Sequence, residues 1–243
     1  MYDIGEAEAW HYLSMEYVDG ETLESLQMRI GVLPTPKAID IARQLCAGVA
    51  AAHERGVLHR DLKPSNIMRD SRGRVRIMDF GLAVRSGDWG GGEIVGTPAY
   101  MAPEQFIGEE ATEQTDLYAL GLVLYELFTG RKPFPARTLE DRMRQALASD
   151  PPPLPSSIGH AVADVIRACL KRNRAERPRT ALDVAAALPG GDLLAAALAE
   201  GRIPSPDIVA AAGRKGALAP RVGWALLAPV VLGTFLVAAN GPR

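Results

Sequence analysis

The chain is constrained most by an ordered series of short polar strings that no single helix or strand could hold together. His59-Arg60-Asp61-Leu62-Lys63-Pro64-Ser65-Asn66 is followed by Asp79-Phe80-Gly81, then by Gly96-Thr97-Pro98-Ala99-Tyr100-Met101-Ala102-Pro103-Glu104. Asp116-Leu117-Tyr118-Ala119-Leu120-Gly121 and Arg177-Pro178 complete the series. Taken singly the strings are bland: Asp-Phe-Gly is a common turn, and an Asp with a Lys two residues on is usually solvated surface. Their joint occurrence in one order is not. It calls for a fold that gathers polar groups from distant parts of the sequence.

Hydrophobic periodicity supplies the frame. Thr35-Pro36, followed by apolar Ala38, Ile39, Ile41, Ala42, Leu45 and Val49, predicts a capped amphipathic helix leading to the His59 string. Leu117 to Phe128 is apolar almost all round, as in a helix at the centre of a domain, and Gly130 is placed to end it. Ala161 to Leu170 and Ala181 to Leu188 read as closing helices, and Pro151-Pro152-Pro153-Leu154-Pro155 as a stiff extended crossover. Cys46 and Cys169 lie in apolar helical contexts without C-x-x-C spacing, which predicts reduced, buried thiols. The histidines show no metal-ligand pattern, and His11, His53 and His160 read as unremarkable. With 23% charged and 47% hydrophobic residues the balance is that of an ordinary globular chain, and a net charge of −2 gives no basis for a nucleic-acid partner.

In their order the strings resemble those of protein kinases. Residues 1 to about 188 are similar in cast to the bacterial eukaryotic-like serine/threonine kinases. The resemblance implies an α+β, protein-kinase-like fold with a mainly α-helical large lobe and a small-lobe sheet. It makes Asp61 the acceptor of the substrate hydroxyl proton and Lys63 the cation beside the transferring phosphate. It makes Asn66 and Asp79 the ligands of Mg²⁺ or Mn²⁺, and ATP the donor. A Lys at position 63 suits serine/threonine rather than tyrosine specificity. His59, Phe80 and Gly81 fall in the scaffold of the loop and the metal turn. Arg60 is placed to meet a phosphothreonine, and Thr97 lies in the segment that receives the substrate. Asp116 resembles the buried aspartate that ties down the catalytic loop, and Glu104 pairs by resemblance with Arg177. Such a buried pair fixes geometry more than it adds stability.

Upstream, Leu13-Ser14-Met15-Glu16-Tyr17-Val18-Asp19-Gly20 resembles the strand entering the hinge between lobes. By that resemblance Met15 is the gatekeeper, Glu16 and Val18 face adenine, and Met68 lies beneath the ring. A complete kinase carries a glycine-rich loop and a strand lysine ahead of this point. Here no lysine precedes Lys37, and Gly5, Gly20 and Gly31 are too scattered for the loop. The expectation is a kinase domain over 1–188 with a truncated small lobe at 1–18, reduced to a remnant sheet near Met1 to Ile4 and Trp10 to Met15. The large lobe then spans 19–188.

Beyond it, 189–221 reads as a juxtamembrane linker. Residues 222–239 form an uncharged apolar stretch just long enough to span a bilayer as one C-terminal transmembrane helix, followed by a short tail at 240–243. Arg202, Arg214, Lys215 and Arg221 precede the stretch and only Arg243 follows it. The expected topology is therefore single-pass in the cell membrane with the kinase lobe cytoplasmic. Expected partners are protein substrates bearing Ser or Thr and the lipid bilayer, and a homodimer is compatible with the sequence. The competing reading is a non-catalytic kinase remnant that acts as a membrane-tethered binding module. The apolar stretch predicts that the full chain sediments with membranes through a high-salt wash, and that deleting 222–243 releases it. Recovery of the intact chain in the salt-washed soluble fraction would count against a spanning helix.

Overall fold

The computed structural model describes residues 3–7, 10–14, 16–80 and 98–190. Strands β1 (Asp3–Ala7) and β2 (Trp10–Ser14) pair antiparallel in the register Ile4↔Leu13 and Glu6↔His11. This matches a small two-stranded remnant, with the first strand shifted a few residues beyond the sequence expectation. The chain crosses Glu16, Tyr17 and Val18 into β3 (Gly20–Thr22), which pairs with β4 (Ile67–Asp70), itself paired with β5 (Val75–Ile77).

Two helices escaped the periodicity reading. Helix α1 (Leu23–Ile30) follows β3 at once, with Thr22 accepting the Ser25 amide as its cap. Helix α5 (Leu139–Ala148) starts the same way, Thr138 accepting the Asp141 amide. Both carry the hydroxyl-x-x-polar cap signature, but their apolar faces are too narrow to stand out beside it. Helix α2 (Thr35–His53) forms where expected, yet without the expected cap: Pro34 occupies the cap position and offers no side-chain acceptor.

The core is organised around α4 (Glu113–Thr129). Almost every residue from Thr115 to Phe128 is buried, so other elements pack against it from all sides. Gly130 closes the helix in the left-handed conformation, φ +66°, and donates its amide to the Glu126 carbonyl. Helix α3 (Pro103–Phe106) precedes α4. Helices α6 (His160–Cys169) and α7 (Ala181–Ala187) close the bundle, α7 capped by Thr180. The proline run 151–155 adopts neither helix nor strand and leads into a 3₁₀ turn at Ser156–Ile158. Cys46 and Cys169 are free and fully buried, and burial pushes both thiols up. The apolar stretch 222–239 lies outside the described residues. Among those described, no helix is long and apolar enough to cross a membrane.

The approach of α6 to α4 depends on Gly121. A Cβ built there would lie 2.6 Å from the Cys169 Cβ, closer than real carbons come, and a tight 3.1 Å from a Leu170 methyl. Gly121→Ala should therefore destabilise the domain by about 1–3 kcal/mol despite the better helix propensity of alanine. Urea denaturation would check it; a neutral or stabilising effect would mean that α6 can retreat at no cost.

Candidate active site

The site is built from the loop between α2 and β4 and the turn after β5. Its foundation is Asp116 on α4, only 1% exposed. Oδ1 accepts the Arg60 amide at 2.8 Å, while Oδ2 accepts the His59 amide and the His53 Nε2–H, each at 2.8 Å. A buried carboxylate is costly unless its lone pairs are filled, and here three donors fill them. The bond to the Arg60 amide matters most for shape. Arg60 sits at φ +68°, a left-handed conformation unfavourable for a side-chain-bearing residue that persists only where the surroundings impose it.

His53 contradicts its sequence reading. Far from unremarkable, it is the side-chain donor at the last position of α2 that holds Asp116 from the far side. A lone histidine at a helix end carries no local sign of this, because its partner stands 63 residues away.

His59 stitches the loop to the turn. The Asp61 amide donates to its Nδ1 at 3.3 Å, so the ring proton resides on Nε2 and is donated to the Met78 carbonyl at 2.9 Å. Burial lowers the pKa of His59, more than offsetting the opposing pull of Asp116, and keeps the ring neutral in this role. Its face packs on Phe80 with ring centroids 4.8 Å apart. The Met78 amide in turn donates to the Asn66 carbonyl at 2.8 Å. Asp79, the next residue, thus follows a strand end tied to Asn66 and is exposed, in a left-handed conformation with φ +60°.

Asp61, Lys63 and Asn66 meet directly. Lys63 Nζ lies 2.6 Å from Asp61 Oδ2. Asn66 Nδ2 donates to the Asp61 carbonyl at 2.9 Å and to Oδ2 at 3.2 Å. The Asp61 carboxylate is about four-fifths buried and held by two donors, which fixes its direction. With the Asn66 amide nitrogen committed to Asp61, its carbonyl oxygen is the end left for a cation. That oxygen and the Asp79 carboxylate are the hard donors that Mg²⁺ prefers, and few protein ligands are its habit. No cluster of three His, Cys, Asp or Glu able to hold a metal occurs among the described residues.

On the hinge side, Val18 is buried, and Glu16 is exposed and accepts Arg76 Nη1 at 3.3 Å. Met68 lies half-buried on β4, opposite Thr22 and Arg76 of the flanking strands. Met15, Gly81 and Thr97 lie outside the described residues.

The segment after Thr97 is fastened by two arginines. Arg177 grips Glu104 bidentately, Nη1 to Oε1 at 2.7 Å and Nη2 to Oε2 at 2.8 Å. Its remaining donors reach the carbonyls of Lys171, Gln114 and Arg172, and the guanidinium covers the Tyr118 ring. Thr115 donates its hydroxyl to the same Glu104 Oε1. Sequence reasoning had no sign of the second arginine. Arg142 on α5 is 2% exposed, donates to the carbonyls of Ala99 and Met101, and lies between the Phe106 and Phe134 rings.

Helical lobe, left-handed Asp79, Asp61–Lys63–Asn66 cluster and Glu104–Arg177 anchor together define a protein kinase. The family described as "Protein kinase domain" matches residues 1–186, and the chain belongs to it. Among its relatives, the serine/threonine-protein kinase PknD of Mycobacterium tuberculosis is 39% identical over 195 residues, 77% of this chain and 29% of that protein. PknB of Mycolicibacterium smegmatis, also a serine/threonine-protein kinase, is 35% identical over 234 residues, 90% of this chain and 36% of its own length. The chain thus spans about a third of the length of these relatives.

The Glu104–Arg177 pair makes a pH-dependent contribution. Burial alone would raise the Glu104 carboxyl, but the hydrogen bonds and charge of Arg177 outweigh it and hold the group below its ordinary value of 4.5. The folded pKa lies below the unfolded one. Its contribution is therefore fully present above pH 4.5 and is lost as the pH falls through the lower folded value. Glu104→Gln strands the buried guanidinium, and we expect a loss of about 3–5 kcal/mol near neutral pH together with a flatter acid limb. Denaturant midpoints measured from pH 7 down to 3 would show it, and parallel pH profiles in both proteins would refute it.

Proposed function

We propose that this chain provides the large lobe of a bacterial signalling kinase that moves the γ-phosphoryl group of ATP to Ser or Thr hydroxyls of protein substrates. The observation that carries this reading is the hydrogen-bonded set Asp61, Lys63 and Asn66, with Asp79 following the strand end that Met78 ties to Asn66. Lys63 supports serine/threonine specificity, as do the names of the mycobacterial relatives.

In this mechanism Asp61, aimed by Lys63 and Asn66, accepts a hydrogen bond from the incoming hydroxyl and takes its proton as the new oxygen–phosphorus bond forms and the bond from the γ-phosphorus to the ADP oxygen breaks, ADP leaving. Lys63, beside Asp61, would offset charge on the transferring group. Bound Mg²⁺ or Mn²⁺, held by the Asp79 carboxylate and the Asn66 carbonyl oxygen, would neutralise the phosphates. Glu16 and Val18 offer the backbone edge for adenine, with Met15 and Met68 bounding the ring. Glu104, Arg177 and Arg142 keep the substrate-receiving segment in place, and Arg60 stands ready for an anionic group from the loop that precedes it.

The apolar stretch 222–239 supports tethering to the cell membrane, with the basic residues before it on the cytoplasmic side. No glycine-rich loop or strand lysine precedes Met15 in this chain. In a complete kinase a glycine-rich loop and a strand lysine also position the phosphates of the nucleotide, and positioning supplies much of the rate in this chemistry. Translating the genomic DNA upstream in frame tests for them. A stop codon directly before Met1 would favour the competing reading of a membrane-tethered scaffold. Against that reading stand the intact Asp61, Lys63, Asn66 and Asp79, which a scaffold has no need to keep.

Asp61→Asn and Asp79→Asn should each abolish transfer, for different reasons. Asp61→Asn removes the proton acceptor, a loss of about 10²–10⁴-fold, with nucleotide affinity nearly unchanged. Asp79→Asn should weaken engagement of Mg·ATP itself. Fluorescent-nucleotide titrations with and without Mg²⁺, on the protein including any upstream sequence, distinguish the two, and the reverse pattern would refute the assignment of roles.

A further inference from the structure

Between the Pro98–Tyr100 turn and the start of α5 lies a cavity of about 480 Å³. Its apolar wall comes from Pro98, Phe134, Pro135 and Leu139, and its polar groups are Lys132, Arg137, Thr138 and Arg142. Every charged residue among these is a cation. Arg142 is 98% buried by its 2% exposure, and no carboxylate lies within salt-bridge distance of it among the described residues. Its Nε and Nη2 hold the Ala99 and Met101 carbonyls, and the Tyr118 hydroxyl neighbours the guanidinium, yet Nη1 is sealed from solvent without a well-formed hydrogen bond.

Of the nearby acids, Glu24 and Glu126 lie toward Tyr100, and the others are paired with arginines. Glu126 accepts the Tyr100 hydroxyl, Glu140 and Asp141 in the first turn of α5 pair with Arg144, and Glu104 is taken by Arg177. Lys132 lies 5.4 Å from the Tyr100 ring centroid, and neither it nor Arg137 forms an ion pair among the described residues. The N-terminus of α5, a helix of ten residues, also opens on the cavity at Thr138. A buried cation with no counter-ion raises the positive potential of the wall in front of it, where low dielectric prevents screening. Two exposed cations and a helix N-terminus add to it at the rim.

We propose that this cavity receives an acidic side chain, Asp or Glu, of the substrate peptide, with the methylene stem against Pro98 and Phe134 and the carboxylate between Lys132 and Arg137. Arg142 acts behind the wall. It shapes the cavity through the Ala99 and Met101 carbonyls and supplies the unneutralised charge, without touching the ligand. The inference rests on the reading that the chain engages protein substrates at the adjoining segment. It adds that those substrates carry a carboxylate near the accepting hydroxyl.

Peptide binding to the full chain in nanodiscs tests this apart from catalysis. The probes are fluorescein-labelled peptides in which a single Glu is walked through an Ala/Gly background around a central Ser, each compared with its Gln counterpart. At the position that reaches the cavity, Glu should bind about tenfold more tightly than Gln, the value of one charge-assisted contact. That preference should shrink in high salt and vanish in the Lys132→Gln/Arg137→Gln double variant. Because Arg142→Met alters a buried group and can simply unfold the lobe, the double variant on the exposed rim carries the test. Equal binding of Glu and Gln at every position would overturn the proposal, as would a preference that survives the double variant. Binding of a walked phosphoserine where Glu gains nothing would also overturn it, in favour of a phosphate site. A Glu preference lost in the double variant supports the acidic site whether or not this chain turns over, because the peptide titration reads binding alone. Transfer without any preference would overturn the acidic site and leave the kinase reading standing.

Discussion

The Asp116 carboxylate is buried in the first turn of the apolar helix α4, where an unpaired charge would be prohibitive, and its three donors come from the His59–Arg60 backbone and the end of α2 that leads to it. Two are the backbone amides of His59 and Arg60, and the third is the imidazole of His53. The geometry of the site follows from this arrangement. With Arg60 clamped in a left-handed conformation, the chain reverses so that Asp61 emerges toward Lys63 and Asn66, and His59 turns its ring to Met78 and Phe80. Loss of the carboxylate would leave buried amides unsatisfied and release a strained backbone together, so its effect should exceed that of any one hydrogen bond. The anchor is firm because α4 is enclosed on every side and cannot tilt to follow the loop.

A second fastening runs from the same helix to the segment that follows Thr97. Arg177 spends all its donors on one carboxylate and three carbonyls, and Thr115, one residue before Asp116, hydrogen-bonds that carboxylate too. Arg142 then holds two more carbonyls of the segment from α5. Buried ion pairs contribute little net stability once desolvation is counted, whereas planar guanidinium forks define direction well. The His59–Asn66 loop and the segment that follows Thr97 are thus referred to a single rigid helix. The relation between them survives whatever happens at the chain's surface.

Much of this was legible in advance. The ordered strings named Asp61, Lys63, Asn66, Asp79, Glu104, Asp116 and Arg177 as residues that belong together, and the apolar run 117–128 announced the central helix. The helices α1 and α5 were not read, because each is short and amphipathic over a narrow face, and a Thr cap weighs little beside a long apolar period. The cap expected of α2 failed because Pro34 took the position before Thr35.

By itself the sequence determined which polar strings the fold must gather and the order in which they appear, since residue type, charge and spacing are local properties of the chain. It also determined the helix that forms the core, because a run apolar on all faces has no other place to go. Only the tertiary structure decided what His53 and Arg142 do. Their partners are a carboxylate 63 residues away and carbonyls more than 40 residues away. A buried polar side chain gains its meaning from the groups that fold brings to it, and no local pattern records which groups those will be.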